Sequence, residues 1–332
     1  MEPDKIILQI QDKKTQEIDF VQLHNIKDLN CAIRDGMMKD IVNMSEILVD
    51  KRIERIANEI ISRQEVKVIL IAGPSSSGKT TFSKRLSLHL MANDLRPYPI
   101  SLDDYFVDRT RTPRDETGDF DYESIHALDL QLLQEHITLL LQGEEIELPR
   151  YDFHSGTSQP SGRKLRLNDD MILLFEGIHA LNPELTAQIP ESCKYRIYAS
   201  VLAPIYLDKD QMISRTDSRL IRRILRDYRY RSASARDTIA RWPSVRRGED
   251  KWVFPFQKYA NVEFNSVQIY ELAVLRNKVL PILAEITHDM PEYEVSDRLR
   301  RLLLMFTPIE DMTLTPPTSL LREFMGGSSF KY

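Results

Sequence analysis

The segment at residues 73–80, with the sequence GPSSSGKT, most constrains what this chain can fold into. It fits the pattern G-x-x-x-x-G-K-[ST], and an apolar run at residues 66–72 precedes it. That run predicts a buried parallel strand. After the segment, Phe82, Leu86 and Leu90 recur at helical spacing. A strand, a glycine-rich loop and a helix in this order predict a phosphate-binding loop (P-loop).

Each part of this loop has a predicted chemical task. Backbone N–H groups and the N-terminus of the helix would surround a polyphosphate. Lys79 would reach the β- and γ-phosphates, and the Thr80 hydroxyl would ligate Mg²⁺. The motif predicts a nucleoside triphosphate but does not identify the acceptor of the phosphate. The predicted nucleotide-binding residues are Gly73, Pro74, Ser75, Ser76, Ser77, Gly78, Lys79, Thr80 and Thr81.

Composition excludes several other classes of protein. The 332 residues are 42% hydrophobic and 29% charged, which is ordinary for a soluble globular protein. The net charge of −5 argues against non-specific nucleic-acid or membrane binding as the main activity. Cys31 and Cys193 are too few for a disulfide framework, no apolar run approaches the ~20 residues that span a bilayer, and the start is not a signal peptide. We therefore expect a cytoplasmic protein without a membrane anchor.

Two further segments are predicted to be strands that end in carboxylates. Residues 96–106 contain Asp103 and Asp104, and residues 171–176 end in Glu176. Ligands of open α/β sheets bind outside the carboxyl ends of the strands. Asp103 would then accept a proton from an acceptor hydroxyl or hold the metal, and Glu176 would meet Mg²⁺ directly or through water. Adjacent strand residues point to opposite faces, so Asp103 and Asp104 cannot both face the γ-phosphate.

Aromatic and polar side chains alternate at residues 148–156 (LPRYDFHSG). This mixture suits a pocket that stacks a base or sugar, with Tyr151, Phe153 and His154 as candidates. His154 taken alone fits an exposed loop equally well. Residues 108–124 are predicted to form a long loop, and long loops in compact domains are usually functional.

Arginines at helical spacing follow later in the chain. Arg219, Arg222, Arg223 and Arg226 fall on one face of one predicted helix. Over a polyphosphate they would neutralise the charge that develops in phosphoryl transfer. A solvated basic face and an RNA-binding patch are the competing interpretations, although the overall acidity disfavours RNA. The stretch 229–241 is a candidate lid.

The overall prediction is an α/β P-loop NTPase fold. Its doubly wound, mostly parallel sheet would carry helices on both faces, an arginine-rich lid and extra C-terminal helices. Strands are also expected within residues 6–20, 195–201 and 262–266, and helices from 41 to about 63 and over 127–142, 270–284 and 295–306. The helix from residue 41 would pack its apolar residues, Ile47 among them, against the core. The predicted division is an N-terminal extension at 1–63, a P-loop domain at 64–290, and a C-terminal helix and tail at 291–332.

Five segments in order resemble the uridine kinase and phosphoribulokinase family of P-loop kinases, and the resemblance covers roughly residues 65–290. The branch most similar is that of uridine kinase-like proteins with threonyl-tRNA synthetase-like N-terminal domains, which residues 254–257 (FPFQ) and 322–328 (REFMGGS) also resemble. Residues 1–63 would then be the remnant of that N-terminal region. The five segments are 73–80, 101–106 (SLDDYF), 149–153 (PRYDF), 175–178 (FEGI) and 217–223 (DSRLIRR).

The resemblance implies Mg²⁺-ATP-dependent phosphorylation of a nucleoside 5′-hydroxyl, with uridine or cytidine as the expected acceptor. It implies that Asp103 activates the acceptor, that Asp121 holds the ribose hydroxyls, and that Glu176 lies beside the metal with Thr80. Tyr151 and Phe153 would contact the base. The predicted catalytic residues are Asp103, Lys79 and Arg222, and the predicted substrate-binding residues are Asp104, Tyr105, Phe106, Asp121, Tyr151, Phe153, His154, Arg219 and Arg222.

The chain departs from the family pattern where the base and the lid would be. No arginine follows His154 until Arg163, the lid reads YRYRSA at 228–233, and EFNS stands at 263–266. Two alternatives therefore stay open. One is a phosphosugar kinase of the phosphoribulokinase type, with the arginines of 109–114 binding a second phosphate. The other is a non-catalytic ATP-binding module that regulates a partner or RNA. The expected partner is a small-molecule acceptor, and a homo-oligomer is compatible with the sequence.

Overall fold

A computed structural model describes residues 23, 25–116, 118–202, 206–207 and 212–331. Its centre is a five-stranded parallel sheet in the order β2-β5-β1-β6-β7, and β3 and β4 form a separate antiparallel hairpin. The hairpin predicted within residues 6–20 lies outside the described residues. The strands are β1 Val68–Ala72, β2 Arg96–Ser101, β3 Glu145–Asp152, β4 Thr157–Arg166, β5 Met171–Glu176, β6 Lys194–Ser200 and β7 Val262–Asn265.

The part of the chain described by the structure contains nine α-helices. None of them is both long enough and apolar enough to cross a membrane. The helices are α1 Ile26–Arg34, α2 Met38–Ser62, α3 Lys79–Met91, α4 Leu130–Leu141, α5 Arg215–Tyr230, α6 Ala235–Trp252, α7 Glu271–Leu283, α8 Tyr293–Leu304 and α9 Arg322–Met325.

Strand β1 shows why the sheet carries helices on both faces. All five of its residues are buried, and alternate side chains enter two different cores. Ile69 and Ile71 pack with Phe82 of α3 and with residues of α2, whereas Val68 and Leu70 pack with residues of α4 and the β3–β4 hairpin. A third core joins α1, α5, α6, α7 and α8. The predicted doubly wound, mostly parallel α/β fold is confirmed.

Strand register brings the predicted site residues to one edge of the sheet. Glu176, the last residue of β5, lies opposite Ile71 of β1 and Ser101 of β2. The P-loop begins directly after the last residue of β1, and Asp103 lies two residues after the end of β2. The carboxyl ends of β1, β2 and β5 therefore form the floor of one cleft.

Several local predictions are wrong or incomplete. Asp103 and Asp104 lie in a 3₁₀ turn, Leu102–Tyr105, because the Ser101 hydroxyl accepts a hydrogen bond from the Asp103 N–H (3.3 Å) and turns the chain out of the strand. The β3–β4 hairpin was not predicted, since prolines and polar residues interrupt its apolar alternation. Ile47 is 51% exposed, on the outer face of α2. The stretch 229–241 contains the end of α5 and the start of α6, and Ser234 and Asp237 form a capping box at the N-terminus of α6.

Candidate active site

The P-loop connects the end of β1 to the start of α3, and two glycines shape it. A side chain at Gly73 would collide with the Ala199 carbonyl of β6. Gly78 precedes α3 with φ of +79°, a conformation that favours glycine. The Ser76 and Ser77 hydroxyls are buried, and neither has a hydrogen-bond partner among the described residues. These features create a concave loop whose polar groups are available to a ligand.

Lys79 lies at the centre of this loop. Its Nζ donates hydrogen bonds to the Gly73 carbonyl (2.8 Å) and the Pro74 carbonyl (3.1 Å). Desolvation lowers the pKa of Lys79, and the negative charges of Glu176, Glu323 and Asp103 oppose that shift. Three carboxylates therefore act on the charge of this lysine, and an incoming phosphate would compete with the two carbonyls for its hydrogen bonds.

Thr80 and Glu176 are brought together as a candidate metal pair. The Thr80 hydroxyl donates to Oε1 of Glu176 (3.2 Å). Burial raises the pKa of Glu176 to about 7, although Lys79 opposes the shift. A cation would stabilise the ionised form of this half-buried carboxylate, so the pair fits Mg²⁺. The described ranges contain no cluster of three or more His, Cys, Asp or Glu side chains suited to a metal, so phosphates and water would supply the other ligands.

Asp103 and Asp104 face different surroundings. Desolvation raises the pKa of Asp103, while Lys79 and Arg231 lower it. Asp104 instead forms an ion pair with Arg163 of β4 (3.3 Å). Asp103 is thus the carboxylate that belongs to the P-loop cleft, whereas Asp104 contacts the hairpin.

Two arginines of α5 hold the P-loop from outside. Arg219 donates to the Ser75 carbonyl (3.0 Å), and its charge is paired with buried Glu249. Arg222 is completely buried, donates to the Ser76 carbonyl (3.3 Å) and pairs with Glu271 (2.6 Å). Both guanidinium groups are engaged within the protein, which points to positioning of the loop.

Three other arginines leave an excess of positive charge near Asp103. Arg223, Arg226 and Arg231 lie 3.2, 2.9 and 3.6 Å from the single carboxylate of Asp227. Repulsion by Arg226 and then burial lower the pKa of Arg231 to about 10. Arg226 and Arg231 share the carboxylate of Asp227 with Arg223, on which Glu123 and Glu249 also act, so this arginine cluster would stabilise additional negative charge. Arg231 was not identified from the sequence as a site residue, because it lies after the arginines that recur at helical spacing in α5. The interaction of its charge with Asp103 depends on the tertiary structure.

Aromatic side chains of the hairpin meet the segment after Asp103. The Phe106 ring lies 5.4 Å from Tyr151 and 6.1 Å from Phe153, and Tyr122 joins the group. Tyr151 is buried, whereas Phe153 is 60% exposed. The cluster therefore offers one open aromatic face of the kind that stacks on a ring.

Three other predicted acceptor-binding residues make contacts within the protein. Tyr105 is buried and its hydroxyl contacts Nδ1 of His136 (3.1 Å), on α4. His154 is exposed, and its backbone N–H donates to Asp152 (2.9 Å). Asp121 is half-buried and accepts the backbone N–H of Glu123 (3.2 Å).

Three carboxylates at this site were not found from the sequence. Burial raises the pKa of Glu123 to about 7, with Arg223 opposing the shift, and its side chain packs against Gly248 of α6. Glu249 accepts the Ser75 N–H (2.9 Å), and Glu323 accepts from Thr81. Each lies far along the chain from the P-loop or in a segment without a motif, so no local pattern indicated it.

The fold and the site together define a P-loop phosphotransferase. Comparison with known families agrees with this class. Residues 68–273, more than half of the chain, match the model of the Phosphoribulokinase / Uridine kinase family. The chain belongs to that family, and it is an ATP-dependent kinase.

Curated relatives and one solved structure extend this comparison. A uridine kinase of Anoxybacillus flavithermus is 29% identical over 201 residues, which cover 60% of this chain and 86% of the relative. A uridine kinase of a Geobacillus species is 30% identical over 196 residues, covering 59% and 83%. A structure described as a possible uridine kinase from Bacillus stearothermophilus aligns with 65% of this chain and 98% of its own, at 21% identity and a TM-score of 0.42.

Proposed function

We propose that this kinase transfers the γ-phosphoryl group of Mg²⁺-ATP to the 5′-hydroxyl of a pyrimidine nucleoside, uridine or cytidine, as in pyrimidine salvage. The observation that carries the proposal is the position of Asp103. The positive charges of Lys79 in the P-loop and of Arg231 and Arg226 act on its carboxylate, and the aromatic cluster begins three residues later at Phe106. The names of the curated relatives support a nucleoside as the acceptor.

The proposed chemistry assigns the proton to Asp103. As the acceptor oxygen attacks the γ-phosphorus, its proton passes to the Asp103 carboxylate, the bond to the β–γ bridging oxygen breaks, and ADP leaves. Asp103 is exposed to solvent, so an acceptor hydroxyl can reach its carboxylate. Lys79, Arg226 and Arg231 would stabilise the charge on the transferring group.

Mg²⁺ would be held by Thr80 and Glu176 beside the phosphates. When bound, it supplies charge neutralisation on the phosphate oxygens. The chain's own contribution is the Thr80–Glu176 pair, which presents two oxygens from neighbouring elements at the same point of the cleft.

A nucleoside is favoured over a phosphosugar by the contacts of the arginines at 109–114. Arg109 donates to the Phe153 carbonyl (2.9 Å), and Arg114 donates to the Gly118 carbonyl (2.6 Å) while covering the Phe120 ring. These two side chains support the loop and the hairpin. Because these two guanidinium groups already have carbonyl partners, they are less available to a second phosphate.

The cytoplasm is the proposed location of this reaction. Cys31 and Cys193 are both free thiols, as expected in a reducing compartment.

The test is ADP release from Mg²⁺-ATP with separate acceptors: uridine, cytidine, adenosine, ribulose 5-phosphate and none. We expect stimulation by uridine or cytidine. Stimulation by ribulose 5-phosphate alone would replace the proposal with a phosphosugar kinase. Nucleotide binding without acceptor-dependent ADP release would favour a regulatory ATP-binding module.

A further inference from the structure

The carboxylate of Glu323, near the C-terminus, accepts hydrogen bonds from the residue that directly follows the P-loop motif. Oε2 of Glu323 accepts hydrogen bonds from the Thr81 backbone N–H (3.0 Å) and from the Thr81 hydroxyl (2.8 Å), across 242 residues of sequence. Thr81 is the third residue of α3. The first N–H groups of a helix have no partner within the helix, and for that reason they bind anions such as phosphates.

Other polar groups of the same loop are also engaged internally. The Ser75 N–H donates to Glu249 (2.9 Å), and Lys79 donates to the carbonyls of Gly73 and Pro74. Glu249 is completely buried and pairs with Arg219 and Arg246. Glu323, by contrast, directs its Oε2 at the N–H and the hydroxyl of Thr81.

Glu323 is held in place by the packing of its own segment. Leu320, Leu321 and Phe324 are fully buried, and Leu320 belongs to the same core as Phe82 of α3. The Arg222 guanidinium lies 5.0 Å from the centre of the Phe324 ring. Arg222, which donates a hydrogen bond to the P-loop, therefore also contacts the segment that contains Glu323.

We propose that Glu323 acts as an internal substitute for a nucleotide phosphate, so that residues 319–326 restrain nucleotide entry until ATP displaces the carboxylate from Thr81. A carboxylate and a phosphate are both anionic acceptors, and they repel one another when they approach the same N–H group. The C-terminal segment is then an autoinhibitory contact, released by binding at the P-loop. This inference rests on the nucleotide-binding part of the proposed function and not on the identity of the acceptor.

The test measures nucleotide affinity without turnover. Wild type, Glu323→Gln, Glu323→Ala and the control Glu310→Gln would be titrated calorimetrically with the Mg²⁺ complex of a non-hydrolysable ATP analogue. Glu310 is an exposed carboxylate of the same C-terminal region. We expect Glu323→Ala to bind the analogue about tenfold more tightly than the wild type, because the variant loses a charge-assisted hydrogen bond that competes with the nucleotide. Glu323→Gln should show a smaller gain in affinity, and Glu310→Gln should show none.

Hydrogen exchange on the wild-type protein keeps the proposal testable if a variant fails to fold. Backbone amides of residues 319–326 should exchange faster with the analogue bound than without it. Equal or weaker binding by the Glu323 variants, absence of nucleotide binding in all of them, or slower exchange with the analogue bound would each overturn the proposal. Failure of pyrimidine phosphorylation would leave these binding results intact, so the two failures are distinguishable.

Discussion

Asp103 is the side chain whose removal should affect turnover most directly. The change Asp103→Asn keeps the shape of the residue but removes the proton acceptor, so we expect kcat to fall by roughly 10²–10⁴-fold with nucleotide affinity nearly unchanged. Steady-state kinetics and calorimetry measure the two effects separately. Asp104→Asn is the matched control, since Asp104 pairs with Arg163 and not with the cleft. Equal losses in both variants would contradict the assigned role.

Glu176 should make stability depend on pH. Its pKa is about 7 in the folded protein, against an ordinary value of 4.5. Between these values the folded state keeps a proton that the unfolded chain has lost, so wild-type stability falls as pH rises from about 4.5 to 7. Glu176→Gln has no carboxyl group to titrate. Its free energy of unfolding should therefore rise by roughly 2–3 kcal/mol relative to that of the wild type over the same pH range. Urea unfolding in the presence of EDTA measures the free energy of unfolding of both proteins at each pH. The prediction would be refuted if the two free energies changed in parallel with pH.

At the residue scale, the sequence indicated those groups whose roles follow from a local motif. Lys79 and Thr80 belong to the P-loop pattern, and Asp103 and Glu176 follow predicted strands. Glu323 was not predictable in this way, because its partner Thr81 is 242 residues distant. The ion pair between Arg222 and Glu271 was equally unpredictable. Helical spacing places the arginine on one face of its helix, but it does not show which carboxylate lies opposite that face.

A buried ion pair between Arg222 of α5 and Glu271 of α7 distinguishes a structural role from a catalytic one. Arg222 and Glu271 are both fully buried and contact each other, so removing either charge leaves the other unpaired. We expect Glu271→Gln and Arg222→Gln to lower the free energy of unfolding by similar amounts, about 3–5 kcal/mol. Chemical denaturation measures this. A fully stable Arg222→Gln with lost turnover would instead support the catalytic role predicted from the sequence.

The β3–β4 hairpin should control the acceptor and not the nucleotide. Phe153→Ala removes the open aromatic face, and we expect the KM for the nucleoside to rise about tenfold while the KM for ATP stays constant. Tyr259→Ala is a control that removes another exposed aromatic ring, one that stacks on Phe256 and not on the aromatic cluster of the hairpin. A rise in the KM for ATP instead would show that the aromatic cluster serves the donor.

Elements with regular apolar spacing were predicted, and irregular ones were not. Strand β5 reads as a continuous apolar run, and α3 has Phe82, Leu86 and Leu90 on one buried face. The hairpin has only a weak alternation, with Pro149 and Pro160 paired across it. Its stability comes from packing on α4 and on the turn after β2, which are contacts that local propensity does not encode.

Over the whole molecule, the flanking segments contribute to the same cores as the P-loop domain. Residues of α2 pack with β1 and α3, and Leu320 near the end of the chain joins that core. The family match covers residues 68–273, so this packing extends beyond the matched region at both ends. The division at 63/64 and 290/291 stays a prediction, as does the synthetase-like origin of the first 63 residues.

The measurement that tests the central claim most directly is identification of the phosphorylated product. The protein would be incubated with Mg²⁺-ATP labelled at the γ-phosphate and with uridine or cytidine, beside 5′-deoxyuridine as an acceptor without the 5′-hydroxyl. We predict labelled nucleoside 5′-monophosphate from the normal nucleosides, none from 5′-deoxyuridine, and almost none with Asp103→Asn. Label on another hydroxyl, or an unlabelled nucleoside with ATP consumed, would contradict the assignment of the acceptor site.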